Sequence, residues 1–112
     1  MKVAVIGAGS MGGMHARLLG GMEGVDEVLI VDADPVRAAA AAEAVDGRTA
    51  AHDEAIAEAD AVVVATPPAL HAASVLAAIE RGTPVLCEKP LTDSLVTSRA
   101  LTAHADAAGA HV

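Results

Sequence analysis

No phenylalanine, tyrosine or tryptophan occurs in the 112 residues. A core without rings must be built from small and branched aliphatics, the side chains that suit buried parallel strands covered by alanine-rich helices. Cys87 is the single cysteine, so no intramolecular disulfide can form. Its place in the apolar run Pro84-Val85-Leu86-Cys87 points to a buried thiol rather than a reactive one. Basic residues are scarce, seven Lys and Arg against fifteen Asp and Glu for a net charge of −8. That balance argues against a nucleic-acid surface, which needs a clustered basic patch, and disfavours anionic membranes. No apolar run is long enough to span a bilayer. Lys2 leads directly into a short strand rather than a secretory signal, which makes the cytoplasm the expected compartment. His15, His52, His104 and His111 lack metal-ligand spacing with cysteine or carboxylates, so no metal site is expected.

What the chain does have is concentrated near its start. Lys2-Val3-Ala4-Val5-Ile6 is followed by Gly7-Ala8-Gly9-Ser10-Met11-Gly12, a stretch with helical spacing, and a second apolar run ending at Asp32, twenty positions after Gly12. Glycines in this pattern are weak evidence alone, but a preceding strand, a following helix and an acidic residue at this distance specify a dinucleotide site. Gly7 can take the turn that leaves the strand, Gly9 lacks the Cβ that would block backbone approach to a pyrophosphate, and Gly12 lets the helix pack closely on the sheet. Unpaired amides at Ser10 and Met11, at the helix start, then face the phosphates. The Asp32 carboxylate can accept both hydroxyls of an adenine ribose while repelling a 2′-phosphate, which favours NAD over NADP. Arg37, one helical turn on, is a candidate partner for a phosphate or a solvated helix charge.

Apolar runs of strand length alternate with helical segments along the chain, the pattern of an α/β fold with a parallel sheet. Strands are expected near 2–6, 27–32, 61–65 and 84–87, with a weaker one near 47–51. Helices are expected over 11–19, 35–44, 53–59, 69–81 and 94–108. Asp34 before Pro35, Asp53 and Ser94 are the candidate N-caps. Right-handed crossovers give a Rossmann-type doubly wound sheet of order 3-2-1-4-5 with the ligand crevice beside strand one. The last helix is expected to stop at Gly109. Ala110-His111-Val112 resembles the first step of another strand, so the sheet is expected to break off before or within a sixth strand, or to have its edge covered by a partner.

In such a sheet function gathers at the carboxyl ends of the strands, so the segments after strands one, two, four and five belong to one crevice. After strand four come Thr66, Pro67 and Pro68. The two prolines delay the next helix and hold Thr66 extended along the cofactor, and His71 falls at that helix's start as a candidate cofactor contact. After strand five come Glu88, Lys89 and Pro90. The Lys89 ammonium can reach into the crevice to hydrogen-bond a substrate hydroxyl or a cofactor ribose. A less functional role for it is an ion pair with Glu88 or a charge pointing to solvent.

Taken together, Gly7 to Gly12 with His15, Asp32-Ala33-Asp34-Pro35, Thr66-Pro67 with His71, and Glu88-Lys89-Pro90-Leu91 resemble the N-terminal domain of the Gfo/Idh/MocA oxidoreductases over essentially the whole chain. The resemblance implies hydride transfer between NAD(P) and a sugar, cyclitol or related polyol. It puts the pyrophosphate on Gly7 to Gly12, the adenine ribose on Asp32, and the nicotinamide side on Thr66, Pro67 and His71. Glu88 and Lys89 would flank the cofactor, with Lys89 the catalytic candidate bridging nicotinamide ribose and substrate. Pro68 departs from the asparagine common in that loop of the family. Family members continue into a second domain that supplies the substrate pocket, the catalytic histidine and the usual dimer surface. Residues 1–112 are therefore expected to form an NAD(P)-binding domain without its substrate domain, binding cofactor with little or no turnover and open to homo-oligomer formation. The competing expectation is a non-catalytic nucleotide-sensing or partner-binding module of the same fold. A third, an S-adenosylmethionine site in the glycine loop, leaves Glu88-Lys89-Pro90 without a role.

Overall fold

The computed structural model describes residues 1–112. Five parallel strands, β1 (Lys2–Ile6), β2 (Glu27–Val31), β3 (Arg48–Thr49), β4 (Ala61–Val64) and β5 (Val85–Cys87), form one sheet in the order β3-β2-β1-β4-β5. This is the expected doubly wound order. Side chains alternate across each strand, and both faces are covered. Val3, Val5, Val28 and Ile30 pack under α1 (Ser10–Gly20) and α2 (Pro35–Glu43), chiefly against Ala16, Ala38 and Ala42. Ala4, Ile6, Leu29, Val62 and Val64 pack on the other face, against Ile56 of α3 (His52–Glu58), Val75 and Ile79 of α4 (His71–Glu80) and Leu101 of α5 (Leu95–Ala108). Alanines on the helices let branched aliphatics of the sheet approach closely, so the core closes without a ring.

The helix starts follow local chemistry. The Asp34 carboxylate accepts from the amides of Val36 and Arg37, with Pro35 in the first turn, and Ser94 accepts from Thr97. Asp53 is not the cap expected for α3. That helix starts one residue earlier, at His52, with Ala51 as the cap and the Glu54 carboxylate accepting from the Ala51 amide at 3.3 Å. Pro67 is extended (φ −56°, ψ 147°), and a 3-10 turn, Pro68–Leu70, precedes α4. The prolines thus delay the helix as expected, and α4 starts at His71 instead of residue 69. Residues 110–112 are not a strand, but the Val85 amide donates to the His111 carbonyl on the outer edge of β5 at 2.9 Å. No helix is long and apolar enough to cross a membrane.

Strand ladders run past the strand ends and fix the loops above them. The Gly7 amide donates to Val31, that of Ala65 to Ile6, and that of Glu88 to Val64, at 2.7 to 2.9 Å. Four loops are thereby held side by side at the carboxyl edge of the sheet.

Candidate dinucleotide site

The chain leaves β1 through Gly7 at φ +96°, a region side chains with a Cβ rarely adopt. A Cβ there would also stand 2.8 Å from the backbone of Ala65 and Thr66. At Gly12 a Cβ would fall on the Gly7 carbonyl, so the first turn of α1 lies directly on the strand exit. Gly9 is different. No protein atom lies within 4 Å of where its Cβ would be, so nothing in the fold itself requires glycine at this position. As N-cap of α1 it offers no side chain to the first-turn amides, and that turn carries no acidic residue. In a chain of net charge −8, the positive end of α1 is left uncompensated where an anion can approach.

Above the loop lies a cavity of about 950 Å³, at the upper end of the range for small-molecule and cofactor sites. It brings together Gly7, Gly9, Ser10 and Met11 from the first loop, Asp32 and Arg37 from the second, and Thr66 and Pro67 from the fourth. The Thr66 hydroxyl is buried without a hydrogen-bond partner. Such an orphan costs about 1–3 kcal/mol unless something supplies a partner. An open space over Gly9, bare amides and an unpartnered hydroxyl all suit a phosphate-linked ligand.

Asp32 ends β2, its side chain only 7% exposed. Its Oδ2 accepts from the Ala8 amide at 2.8 Å and from Arg37 Nε at 3.1 Å. Its Oδ1 accepts from the Asp34 amide at 2.8 Å and from Arg37 Nη2 at 3.1 Å. Burial works against the charged carboxylate, but the Arg37 bonds and the two amides outweigh it and hold Asp32 below the ordinary carboxylate range. Arg37 is thus neither a free helix charge nor an unengaged phosphate partner; it is paired with Asp32.

The remaining site residues lie beside the cavity rather than on its wall. Gly12 is buried in the first turn of α1, against the Gly7 carbonyl. His71, expected to meet the cofactor, is 1% exposed, with Nε2 2.6 Å from the Thr66 carbonyl and Nδ1 3.1 Å from those of Pro90 and Leu91. Carbonyls only accept, so the ring bonds through whichever nitrogen carries its N–H, and it packs between the loop after β4 and the loop after β5. Glu88 meets His15 of α1 at 2.6 Å, not Lys89, and that hydrogen bond is the main reason its carboxyl sits below the ordinary range. Lys89 is exposed and forms no ion pair. Cys87 is half-buried, and burial first, then the neighbouring Glu88 charge, pushes its thiol up to about 11.

Two cavity residues were not expected from the sequence. They are the polar pair His52 and Ser74, which line it and hydrogen-bond to each other at 2.9 Å. His52 follows β3, and the rule that assigns the crevice to strand ends applies to that strand as to the other four.

Comparison with known proteins agrees with this geometry. A profile of the Gfo/Idh/MocA oxidoreductases, described as an oxidoreductase family with an NAD-binding Rossmann fold, matches residues 1–112. An inositol 2-dehydrogenase of Arthrobacter sp. (strain FB24) is 46% identical over 97 residues, covering 82% of this chain and 29% of that protein. The crystal structure of a putative myo-inositol dehydrogenase from Sinorhizobium meliloti 1021 superposes with a TM-score of 0.92 at 30% identity, over 99% of this chain and 34% of that one. GenD2 from gentamicin A biosynthesis, solved in complex with NAD, superposes at 0.89 with 39% identity, over 98% of this chain and 32% of that one. The chain therefore spans about a third of the length of these relatives. On the match over its full length and the identity to its relatives, it belongs to the Gfo/Idh/MocA family of oxidoreductases with an NAD-binding Rossmann fold.

Proposed function

We propose that this chain is the NAD(P)-binding part of an oxidoreductase that passes hydride between a nicotinamide and a carbinol carbon of a sugar, cyclitol or related polyol. By itself it binds the dinucleotide with little or no turnover. The observation that carries the reading is the open space at Gly9, beside a helix start whose amides no side chain caps, in a cavity that Thr66 also lines. Names of the relatives support the substrate class: inositol 2-dehydrogenases recur among them, and two further superposed structures are crystal forms of one UDP-N-acetylglucosamine 3-dehydrogenase, GnnA from Acidithiobacillus ferrooxidans.

Each residue then has a chemical task. Amides of Ser10 and Met11 bind the pyrophosphate, and Gly9 lets it approach. Asp32 orients the adenine ribose and favours NAD over NADP. Thr66 donates its hydroxyl to the cofactor, and Pro67 holds that segment extended beside the nicotinamide half. His71 positions both loops without touching ligand. Glu88, fixed by His15, sets the start of the segment from which Lys89 reaches the nicotinamide ribose and the substrate hydroxyl. When bound, the nicotinamide supplies the hydride acceptor or donor. Lys89 would hold a proton at the reacting hydroxyl.

Titration with NADH and NADPH, followed by nucleotide fluorescence, tests the reading. The chain has no aromatic side chain of its own to contribute signal. Saturable binding of NADH is expected, with NADPH weaker. Failure of both to bind at millimolar concentration refutes it.

A further inference from the structure

The Asp32 carboxylate is saturated. A carboxylate offers about four lone-pair positions, two on each oxygen. Two are taken by the amides of Ala8 and Asp34, which belong to the loops that build the site. The other two hold the Arg37 fork, Nε on Oδ2 and Nη2 on Oδ1, each at 3.1 Å. A ribose diol needs one position on each oxygen, and these are the pair the fork occupies. Ribose and guanidinium cannot both be seated.

The exposures show which of the two partners can move. The Asp32 side chain is 7% exposed and fixed by two backbone donors, whereas Arg37 is 53% exposed and makes no side-chain hydrogen bond except to Asp32. Arg37 sits in the first turn of α2, whose cap, Asp34, binds backbone amides and does not depend on the Arg37 side chain. Once displaced, the guanidinium stays tethered beside the ribose edge of the cavity. A 2′-phosphate arriving there offers it a replacement anion, while two hydroxyls do not.

Resting on the dinucleotide site proposed above, we propose that Arg37 is a built-in competitor for the adenosine ribose and a determinant of cofactor specificity. It lowers affinity for NAD(H), supports NADP(H), and so narrows a preference that Asp32 alone would make wide. This is the opposite of the role of a simple contact residue, whose removal weakens every ligand it touches.

The test compares Arg37→Met, which keeps the alkyl stem but no donor, with the wild type and with Arg37→Lys, which keeps the charge but not the fork. Arg81→Met serves as a control for loss of one positive charge away from the cavity. NADH and NADPH are titrated at fixed ionic strength. Exposed ion pairs are weak, so R37M is expected to bind NADH about three- to fivefold tighter. The same variant is expected to bind NADPH about tenfold weaker through loss of a charge-assisted contact. R37K should fall between, and R81M should match the wild type. A wild type that binds NADH while R37M binds it no tighter overturns the competitor and leaves the dinucleotide site standing. A wild type that binds neither nucleotide removes both.

Discussion

Two glycines in the same loop should respond in opposite ways to one added methyl group. In Gly12→Ala the new Cβ falls on the Gly7 carbonyl oxygen and 2.7 Å from its carbon, and neither is the end of a flexible side chain. α1 must lift off the strand exit. Overpacking of this kind costs about 1–3 kcal/mol or more, and the better helix propensity of alanine returns about 1 kcal/mol. A clash with backbone puts the cost at the upper end, and the net loss of about 2 kcal/mol lowers the melting temperature by about 5–10 °C in a domain of this size. In Gly9→Ala the methyl enters open space. The gain from restricting the unfolded chain and the loss of glycine at an N-cap offset each other to within about 1 kcal/mol. G9A should therefore melt close to the wild type, yet bind NADH at least about tenfold more weakly, because the methyl stands where the pyrophosphate must approach. Melting by circular dichroism and NADH titration on the two variants separate the effects. A G12A that melts with the wild type, or a G9A that binds NADH unchanged, would refute the reasoning.

Three further outcomes are expected. His71→Ala empties the buried space between the carbonyls of Thr66, Pro90 and Leu91 and removes the ring N–H that bonds one side; at about 1–3 kcal/mol for a buried unsatisfied group, the melting temperature should drop and amide exchange should rise at Glu88, Lys89 and Leu91, and protection equal to wild type would sink the positioning role. Asp32 is held below its unfolded value, so the stability it contributes is present above the ordinary carboxylate range and is lost as pH falls through its lower folded value. Asp32→Asn should accordingly be less stable than wild type at neutral pH, with the gap in melting temperature closing as pH falls toward 2, whereas a constant gap would show that the carboxylate's charge is not what stabilises. With its thiol pushed up to about 11, Cys87 should alkylate at least about tenfold more slowly in native buffer than in denaturant at the same pH; equal rates would mean an activated or freely exposed thiol.

What sequence reasoning reached, and what it missed, divides along the range of the interactions. The packing at Gly12 on Gly7, the cap at Asp34 and the extended Pro67 depend on neighbours within a few positions, and the sheet order follows from the alternation of strands and helices joined by right-handed crossovers. Period and residue type carry that information. β3, in the weak stretch near 47–51, is only two residues long, and nothing in the sequence signals that the crevice extends to its end, where His52 meets Ser74 twenty-two positions on. Asp53 had the chemistry of a cap, but the exit from β3 puts Ala51 at that position, with Glu54 reaching back to its amide. His71 shows the limit most clearly. Spacing placed it correctly at the start of α4, on the rim of the crevice. Which way its ring points is decided by Pro90 and Leu91, about twenty positions later, packing over the helix start. Arg37 has the same kind of ambiguity at closer range. Its spacing fits a phosphate ligand and a solvated charge equally, and the third option, a fork on Asp32, depends on Ala8 and Asp34 first fixing the orientation of that carboxylate. Local pattern can thus bring a polar side chain to the edge of a site, but whether it faces ligand, loop or neighbouring charge depends on backbone donors and acceptors contributed by other strands.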